Sequence, residues 1–563
     1  MSKIVEIIYP LILVTVFSLL LFFNLGSTTV IDYDEGVYAE VSREMYLASE
    51  PVIPTLNGED FFEKPPMLYW AQMLGYKLFG INSLGARAIN GLCGLATILI
   101  LFFSARTPLG SRTAFNSSLI LGSSFLFVYL SRVAMTDMLL TMFLTICLVS
   151  SWYGVERSIK GQNGHFLFWL GCLAAGGAML SKGVIGALFP VITAVIYLIS
   201  INRIGLLFRK NWLLPGTLIL VMVGFSWYLL LGFLHPDGFG FMKDLFLKHH
   251  IGRFSSAMEG HSGPFYYYFI VLLIGFLPWF SYLPVAAIHA PVLSSQEPAS
   301  RFVRLFVIFS IIVFLFFSIA ATKLPNYILP VLPGLALITA ALFNRESIKY
   351  PIIWLTAGWA SAAIIGLLGI VLAAAPFIIS YLPDLLGEDS RKAPILAEPV
   401  QLGYGVWVAA ILFLFSAFMI IRSVHKRHIE QIFQALLLSS FIVSATIFFT
   451  IMPLYDRLMN LPLASLALEA AEHTPADERI VLYNISDRPS VMFASNRRTI
   501  YHSDRNLQQL PALFDEKDIS VGITTNYYYG RLLSHSIAVH EIKRQGGFVL
   551  FGIVAQSGNP APP

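Results

Sequence analysis

The sequence predicts a polytopic α-helical membrane protein. Three observations carry that prediction: 56% of the 563 residues are hydrophobic, only 12% are charged, and the mean hydropathy is +0.71. Soluble domains carry about twice that share of charge, and a soluble chain of this size needs far more polar surface to cover itself. A soluble enzyme, a secreted disulfide scaffold and a disordered chain are excluded. The 45 Phe, 24 Tyr and 9 Trp residues suit rings seated at bilayer interfaces. A net charge of +4, unevenly placed, does not point to nucleic acid. Cys93, Cys147 and Cys172 fall inside apolar runs without metal-ligand or disulfide spacing, and read as small core residues.

Apolar runs of the length that crosses a bilayer, about 20 residues, recur about thirteen times: 7–25, 85–105, 113–131, 137–155, 166–181, 183–201, 212–234, 266–288, 304–322, 325–343, 351–373, 404–421 and 431–453. The first is expected to be an uncleaved anchor, since no small-residue cleavage site follows it. Tight hairpins at Ser181-Lys182-Gly183 and Lys323-Leu324-Pro325 separate two of the pairs. The loops with Arg106 and Arg112, Arg157 and Lys160, Arg203, Arg209 and Lys210, Arg301 and Arg304, Arg345 and Lys349, and Arg422, Lys426 and Arg427 all join an even run to the next odd one. By the positive-inside rule these loops and the N-terminus are cytoplasmic, and the C-terminus is external.

Two external stretches are expected to form interfacial helices. Val37, Val41 and Met45 share one face, and Met67, Trp70, Leu74 and Leu78 share another after Pro65-Pro66. Residues 1–455, with the first external loop at 26–84, then form the membrane domain. Residues 456–563 turn soluble in composition and form a small external α/β domain. Within it Leu461–His473 reads as a helix capped by Asn460. Arg479–Asn484, Ser490–Phe493, Thr499–His502 and Ser520–Thr524 read as strands, and Ile537–Ile542 with Phe548–Val554 as a hairpin.

No Asp, Glu, Lys or Arg lies in the middle of a run, which argues against an ion-coupled carrier. The unusual charges gather at the external edge: Asp32, Asp34, Glu35, Glu40, Glu63, Lys64, Asp137, Lys182, His249, His250, Arg253 and Lys323. Lys64, Lys182, Arg253 and Lys323 are cations at headgroup depth, suited to a phosphate or pyrophosphate, and Tyr327, one turn from Lys323, can donate to the same oxygen. Asp34 and Asp137 can orient a nucleophile, take its proton or balance charge on a sugar carbon. Glu63 with His249, His250 or His261 can hold a divalent metal, although no strict ligand spacing is present. Each residue also has an ordinary reading. Asp34-Glu35 and Asp137 can cap helices, Lys182 and Lys323 can snorkel, and His249-His250 can sit in the interface. Glu63-Lys64 can be a surface pair. Their gathering on one side favours a site.

At these residues the chain resembles a known family. Asp34-Glu35-Gly36-Val37-Tyr38-Ala39-Glu40-Val41-Ser42-Arg43-Glu44-Met45 resembles the Asp-Glu-x-x-Tyr-Ala-Glu-x-x-Arg-Glu-Met signature of the lipid A 4-amino-4-deoxy-L-arabinose transferases. These are GT-C glycosyltransferases related to the protein O-mannosyltransferases. Phe62-Glu63-Lys64-Pro65, Ser181-Lys182-Gly183, His250-Ile251-Gly252-Arg253-Phe254 and Lys323-Leu324-Pro325-Asn326-Tyr327-Ile328-Leu329 are similar to further family segments, in order, over roughly residues 8–345. The chain departs from the family at Val37, where the aminoarabinose enzymes usually carry Arg; the departure bears on the sugar and acceptor, not on the fold.

The resemblance implies a GT-C fold with thirteen spans and an external C-terminal domain, in the bacterial inner membrane. It implies transfer of a sugar, best 4-amino-4-deoxy-L-arabinose, from undecaprenyl phosphate to lipid A phosphate on the periplasmic face. Its residue mapping makes Asp34 the catalytic carboxylate, with Asp137 beside it. Lys64, Arg253, Lys323, Tyr327, Lys182 and Glu35 contact carrier phosphate or substrate, and Glu63 with His250 forms the best metal pair. No other cofactor is expected, and the expected state is a monomer. A sister transferase with another sugar or a protein or glycan acceptor is the alternative, and a lipid or glycan transporter is a further one.

Overall fold

A computed structural model describes residues 3–243, 262–289, 296–344, 351–503 and 519–553. Among these, seven helices are long and apolar enough to cross a membrane, or ten if each bent helix pair counts as one span. The protein is therefore a multi-pass membrane protein. Every apolar run contains helical chain, but the full count of thirteen is not reached by length and composition.

The first half runs α1 (Lys3–Phe22), α2 (Asp34–Ala48), a hairpin of β1 (Thr55–Leu56) and β2 (Glu59–Asp60), α3 (Met67–Phe79), α4 (Ser83–Leu109), α5 (Ser111–Ser123), α6 (Phe125–Arg132), α7 (Thr136–Ile159), α8 (His165–Lys182), α9 (Ile185–Ser200), α10 (Lys210–Gly224) and α11 (Ser226–Leu234). The hairpin turns on Asn57-Gly58, both with positive φ (59° and 76°), as an Asn-Gly turn requires. Three of the apolar runs are broken: α5 and α6 meet at 63°, α10 and α11 at 43°, and Tyr267–Gly275 meets Trp279–Ile288 at 115°. The last break falls at Pro278, which has no N–H to continue a helix.

Loops assigned to one side from their Lys and Arg content meet at one end of the bundle. Arg112 pairs with Glu430 at 3.0 Å, Arg301 grips Glu156 at 2.7 Å through two N–H groups, and Arg304 donates to the Ser200 carbonyl. At the opposite end lie α2, α3 and the C-terminal domain.

The interfacial helices form where the apolar faces place them, but their environments differ. On α3, Leu74 and Leu78 stay exposed, as an interfacial helix requires. On α2, Val37, Val41 and Met45 are buried, and so are Glu40, Ser42 and Arg43 on other faces. This helix is internal: the bundle covers one side and the C-terminal domain the other.

The last span does not stop before that domain. Helix continues over Ile429–His473 through π-helical turns at Ile447–Ile451 and Asp456–Asn460, so Asn460 is no cap. Among the described residues the domain is a five-stranded sheet in the order β4-β3-β5-β7-β6, with β3 (Arg479–Tyr483) parallel to β4 (Arg498–His502) and to β5 (Ile519–Thr525). β7 (Phe548–Ile553) pairs antiparallel with β5 on one side and with β6 (Val539–Gln545) on the other. Side chains alternate along a strand. Ile480 and Leu482 pack against Leu466 and Ala470 of the entering helix, while Val481 and Tyr483 pack against Tyr529 and Leu532 of a second helix, Asn526–Ser534. The expected strand at 490–493 is instead a helix, Pro489–Ser495. Proline in its first turn suits a helix start, and a four-residue apolar run does not tell strand from helix.

Candidate active site

The loop carrying Asp34 is fastened by a buried knot. Arg87, near the start of α4, donates through Nε and Nη2 to both Glu35 oxygens at 2.8 and 2.7 Å, and through its other N–H groups to the carbonyls of Leu25, Thr28 and Thr29. Glu35 also accepts from the backbone N–H groups of Ile31 and Ala134, each at 2.9 Å. Both partners are almost wholly buried. Read from the sequence as a substrate contact, Glu35 is instead an anchor whose oxygens are already satisfied by four donors. Asp34 stands beside it, half-buried, as the first helical residue of α2; the cap position is Tyr33, whose side chain makes no capping bond.

A second cluster joins three segments far apart in sequence. Asp137, in the first turn of α7 and fully buried, accepts from Lys182 Nζ at the end of α8 and from Asn326 Nδ2 at 2.6 Å. Lys182 lies over the Tyr327 ring, 4.3 Å from its centroid, an arrangement that favours a cation. Tyr327 in turn packs on Phe317. Thus Asp137, Lys182 and Tyr327, separately singled out in the sequence, meet in one place. The capping reading of Asp137 does not hold, because its carboxylate turns to Lys182 and Asn326 and the α7 cap position, Met135, makes no side-chain bond. With both oxygens engaged, Asp137 holds Lys182 in place.

Lys323 is turned elsewhere. Its ammonium donates to the carbonyls of Phe317, Ser318 and Ala320 at 3.4, 2.9 and 2.5 Å. It therefore caps the C-terminal end of helix Pro298–Ile319, where a cation meets the unsatisfied carbonyls and the negative end of the dipole. Glu63 and Lys64 are half-buried just before α3. Burial, reinforced by the charge of Glu63, raises the Tyr69 phenol well above its ordinary range. Asp32 is nearly buried against Ser490, and desolvation lifts its carboxyl above the usual value against the lowering pull of Ser490 and Arg488.

Arg253, His249, His250 and His261 lie outside the described residues, so the Glu63–His250 pair and the Arg253 phosphate contact are not placed. Among the described residues no group of three or more His, Cys, Asp or Glu comes together to hold a metal. Sequence reasoning missed Arg87, Asn326 and Ser490. Arg87 was signalled by a lone charge inside the second apolar run, and Asn326 sits at a variable position of its motif. Ser490 had no signal, because its partner lies 458 residues away.

A family described as dolichyl-phosphate-mannose-protein mannosyltransferase matches residues 63–229. An Edwardsiella ictaluri undecaprenyl phosphate-α-4-amino-4-deoxy-L-arabinose arabinosyl transferase is 34% identical over 314 residues, 55% of each chain. An Aeromonas hydrophila protein of the same description is 30% identical over 384 residues, 66% of each chain. An Aquifex aeolicus protein is 34% identical over 62% of this chain and 65% of its own. The chain thus spans between 55% and 66% of the length of these relatives. Among solved structures, ArnT from Cupriavidus metallidurans bound to undecaprenyl phosphate superposes with a TM-score of 0.73 at 22% identity, over 98% of this chain and 99% of that one. The archaeal oligosaccharyltransferase AglB from Archaeoglobus fulgidus superposes with a TM-score of 0.53 at 11% identity. The fold is that of the GT-C membrane glycosyltransferases. Within that class the chain resembles the undecaprenyl phosphate-aminoarabinose transferases.

Proposed function

We propose that the protein is an integral-membrane glycosyltransferase that uses a polyprenyl-phosphate sugar. The donor is 4-amino-4-deoxy-L-arabinose on undecaprenyl phosphate, and the acceptor is lipid A phosphate at the periplasmic face of the inner membrane. The observation that carries the reading is the Asp137–Lys182–Asn326 cluster with Tyr327. It presents a positioned cation at the same end of the bundle as Asp34, inside a fold shared along its whole length with a protein described as bound to undecaprenyl phosphate.

In this reading Lys64, Lys182 and Arg253 attract the carrier phosphate, which gains charge as the bond from the anomeric carbon to its oxygen breaks. The electron pair leaves with the carrier phosphate, and an acceptor oxygen forms the new bond to that carbon. A phosphate acceptor is already ionised near neutral pH and needs no strong base. Asp34 then has one task, to balance the positive charge of the oxocarbenium-like state. A hydroxyl acceptor on a protein or glycan, the second reading, is favoured by the mannosyltransferase family match and would give Asp34 a proton to take as well.

Mass spectrometry of lipid A from cells with and without the gene separates the two. The expected result is an increment of one pentosamine that disappears on deletion. Identical lipid A in both strains removes the acceptor and turns the search to proteins and glycans.

A further inference from the structure

The chemistry just described leaves the C-terminal domain without a task, yet its helix Pro489–Ser495 is locked to the loop that bears Asp34. Asp32 accepts from the Ser490 N–H at 2.9 Å and from the Ser490 hydroxyl, with Arg488 at 3.7 Å. The helix Pro489–Ser495 has no capping side chain of its own at Arg488; Asp32 supplies the cap across the domain boundary. At the far end of the same helix, Arg43 donates to the Asn496 side chain while gripping Glu40. From Gly36 to Arg43 and from Pro489 to Asn496 each helix advances about 10 Å, so the two run side by side and are tied at both ends. Gly36 leaves no space between them: a Cβ there would stand 2.8 Å from Asp32 Oδ1, 3.1 Å from Ser490 N and 3.3 Å from Pro489 Cβ.

Two further ties extend the seam. Asn57 donates to the Thr499 carbonyl at 2.9 Å and accepts from its N–H at 3.0 Å. Thr29 donates to Asp456 through its N–H and hydroxyl. Asp34 is thus held between two anchors of opposite origin, Glu35–Arg87 in the membrane bundle and Asp32–Ser490 in the C-terminal domain.

We propose that Asp32 and Ser490 are positioning residues, and that the C-terminal domain forms part of the active-site scaffold by fixing Asp34 for reaction. The proposal rests on the reading of Asp34 as the reacting carboxylate. A carboxylate displaced by about 1 Å loses on the order of a hundredfold in rate. Loosening the clamp lowers kcat and leaves the KM for the lipid-linked donor near its normal value, because the cations that bind the carrier are elsewhere.

The test uses the full-length protein in detergent with undecaprenyl phosphate-aminoarabinose and lipid A. It compares Asp32→Ala, Ser490→Ala, the double variant and Ser490→Thr, and adds amide hydrogen exchange over residues 31–37. The expected result is kcat down about tenfold or more in Asp32→Ala, a smaller loss in Ser490→Ala, and recovery in Ser490→Thr. The double variant should be no worse than Asp32→Ala, since the two residues act through one contact. Exchange over 31–37 should rise in step with the loss of turnover. Losses that multiply in the double variant overturn the proposal. So does a Ser490→Ala protein with normal exchange and turnover beside an inactive Asp32→Ala, because Asp32 then acts by itself. If Asp32→Ala does not fold, the Ser490 pair decides. If the wild type shows no turnover, the donor and acceptor reading fails, and unchanged exchange in Ser490→Ala still overturns the clamp.

Discussion

Asp34 is the first helical residue of α2 and not its cap, which simplifies what a substitution there can report. Asp34→Asn removes one negative charge from a helix first turn, an effect on stability of about 0.3–1 kcal/mol, and keeps the shape of the side chain. The expected outcome is a protein with a nearly unchanged melt and activity reduced about a hundredfold, read as release of free polyprenyl phosphate. Full activity would leave Asp34 a simple first-turn acid. Lys182 and Asp137 behave differently because they are buried together. Lys182→Met leaves an uncompensated carboxylate, a loss of about 3–5 kcal/mol, so both the melt and the activity fall. Adding Asp137→Asn removes that charge, and the double variant should recover the melt without recovering turnover. A double variant no more stable than Lys182→Met would show that the pair is not what holds these segments together. The sequence named both residues from their place at the membrane edge. It did not pair them, since pairing depends on how α7 and α8 pack and on Asn326 arriving from a segment 189 residues away.

At the scale of elements, periodicity located α2 and α3 because each carries a repeating apolar face. It did not reveal that α2 would be covered on both sides, since the polar residues on its other faces, Glu40, Ser42 and Arg43, are satisfied by partners as distant as Gln72 and Asn496. The same limit explains the misread stretch at 489–495, whose helical start is supplied by Asp32 from another domain. The continuous helix through 429–473 was hidden by the composition change near 456, which does not coincide with a break in the helix. Arg87 shows how strongly one element can depend on another: it ties α4 to α2 and to the loop that follows α1. Arg87→Met should destabilise the protein by about 3–5 kcal/mol, the range for stranding a buried carboxylate, and Glu35→Gln in the same chain should restore part of it. Thermal melts of the single and double variants check this, and a neutral Arg87→Met would contradict the knot.

For the whole molecule, the proposed sidedness draws on the loop charges and on how the bundle groups the loops. The Lys and Arg of the short loops assign one set of loops to the cytoplasm, and the bundle brings members of that set together, Arg112 against Glu430 and Glu156 against Arg301. The loops of the opposite set meet the C-terminal domain, Asp32 at Ser490 and Asn57 at Thr499. Gln162 lies in the loop with Arg157 and Lys160, and Glu472 lies on the helix that enters the C-terminal domain; both are exposed and outside the tied contacts. Single cysteines at these positions, in a background without Cys93, Cys147 and Cys172, report the two faces directly. With the outer membrane permeabilised, a membrane-impermeant maleimide should label Glu472→Cys in intact cells and Gln162→Cys only after the inner membrane is opened. Labelling of both from the same side would separate the loop charges from the topology. It would also remove the external placement of Asp34, because α2 and the domain bearing Glu472 are fastened to each other and must face the same compartment.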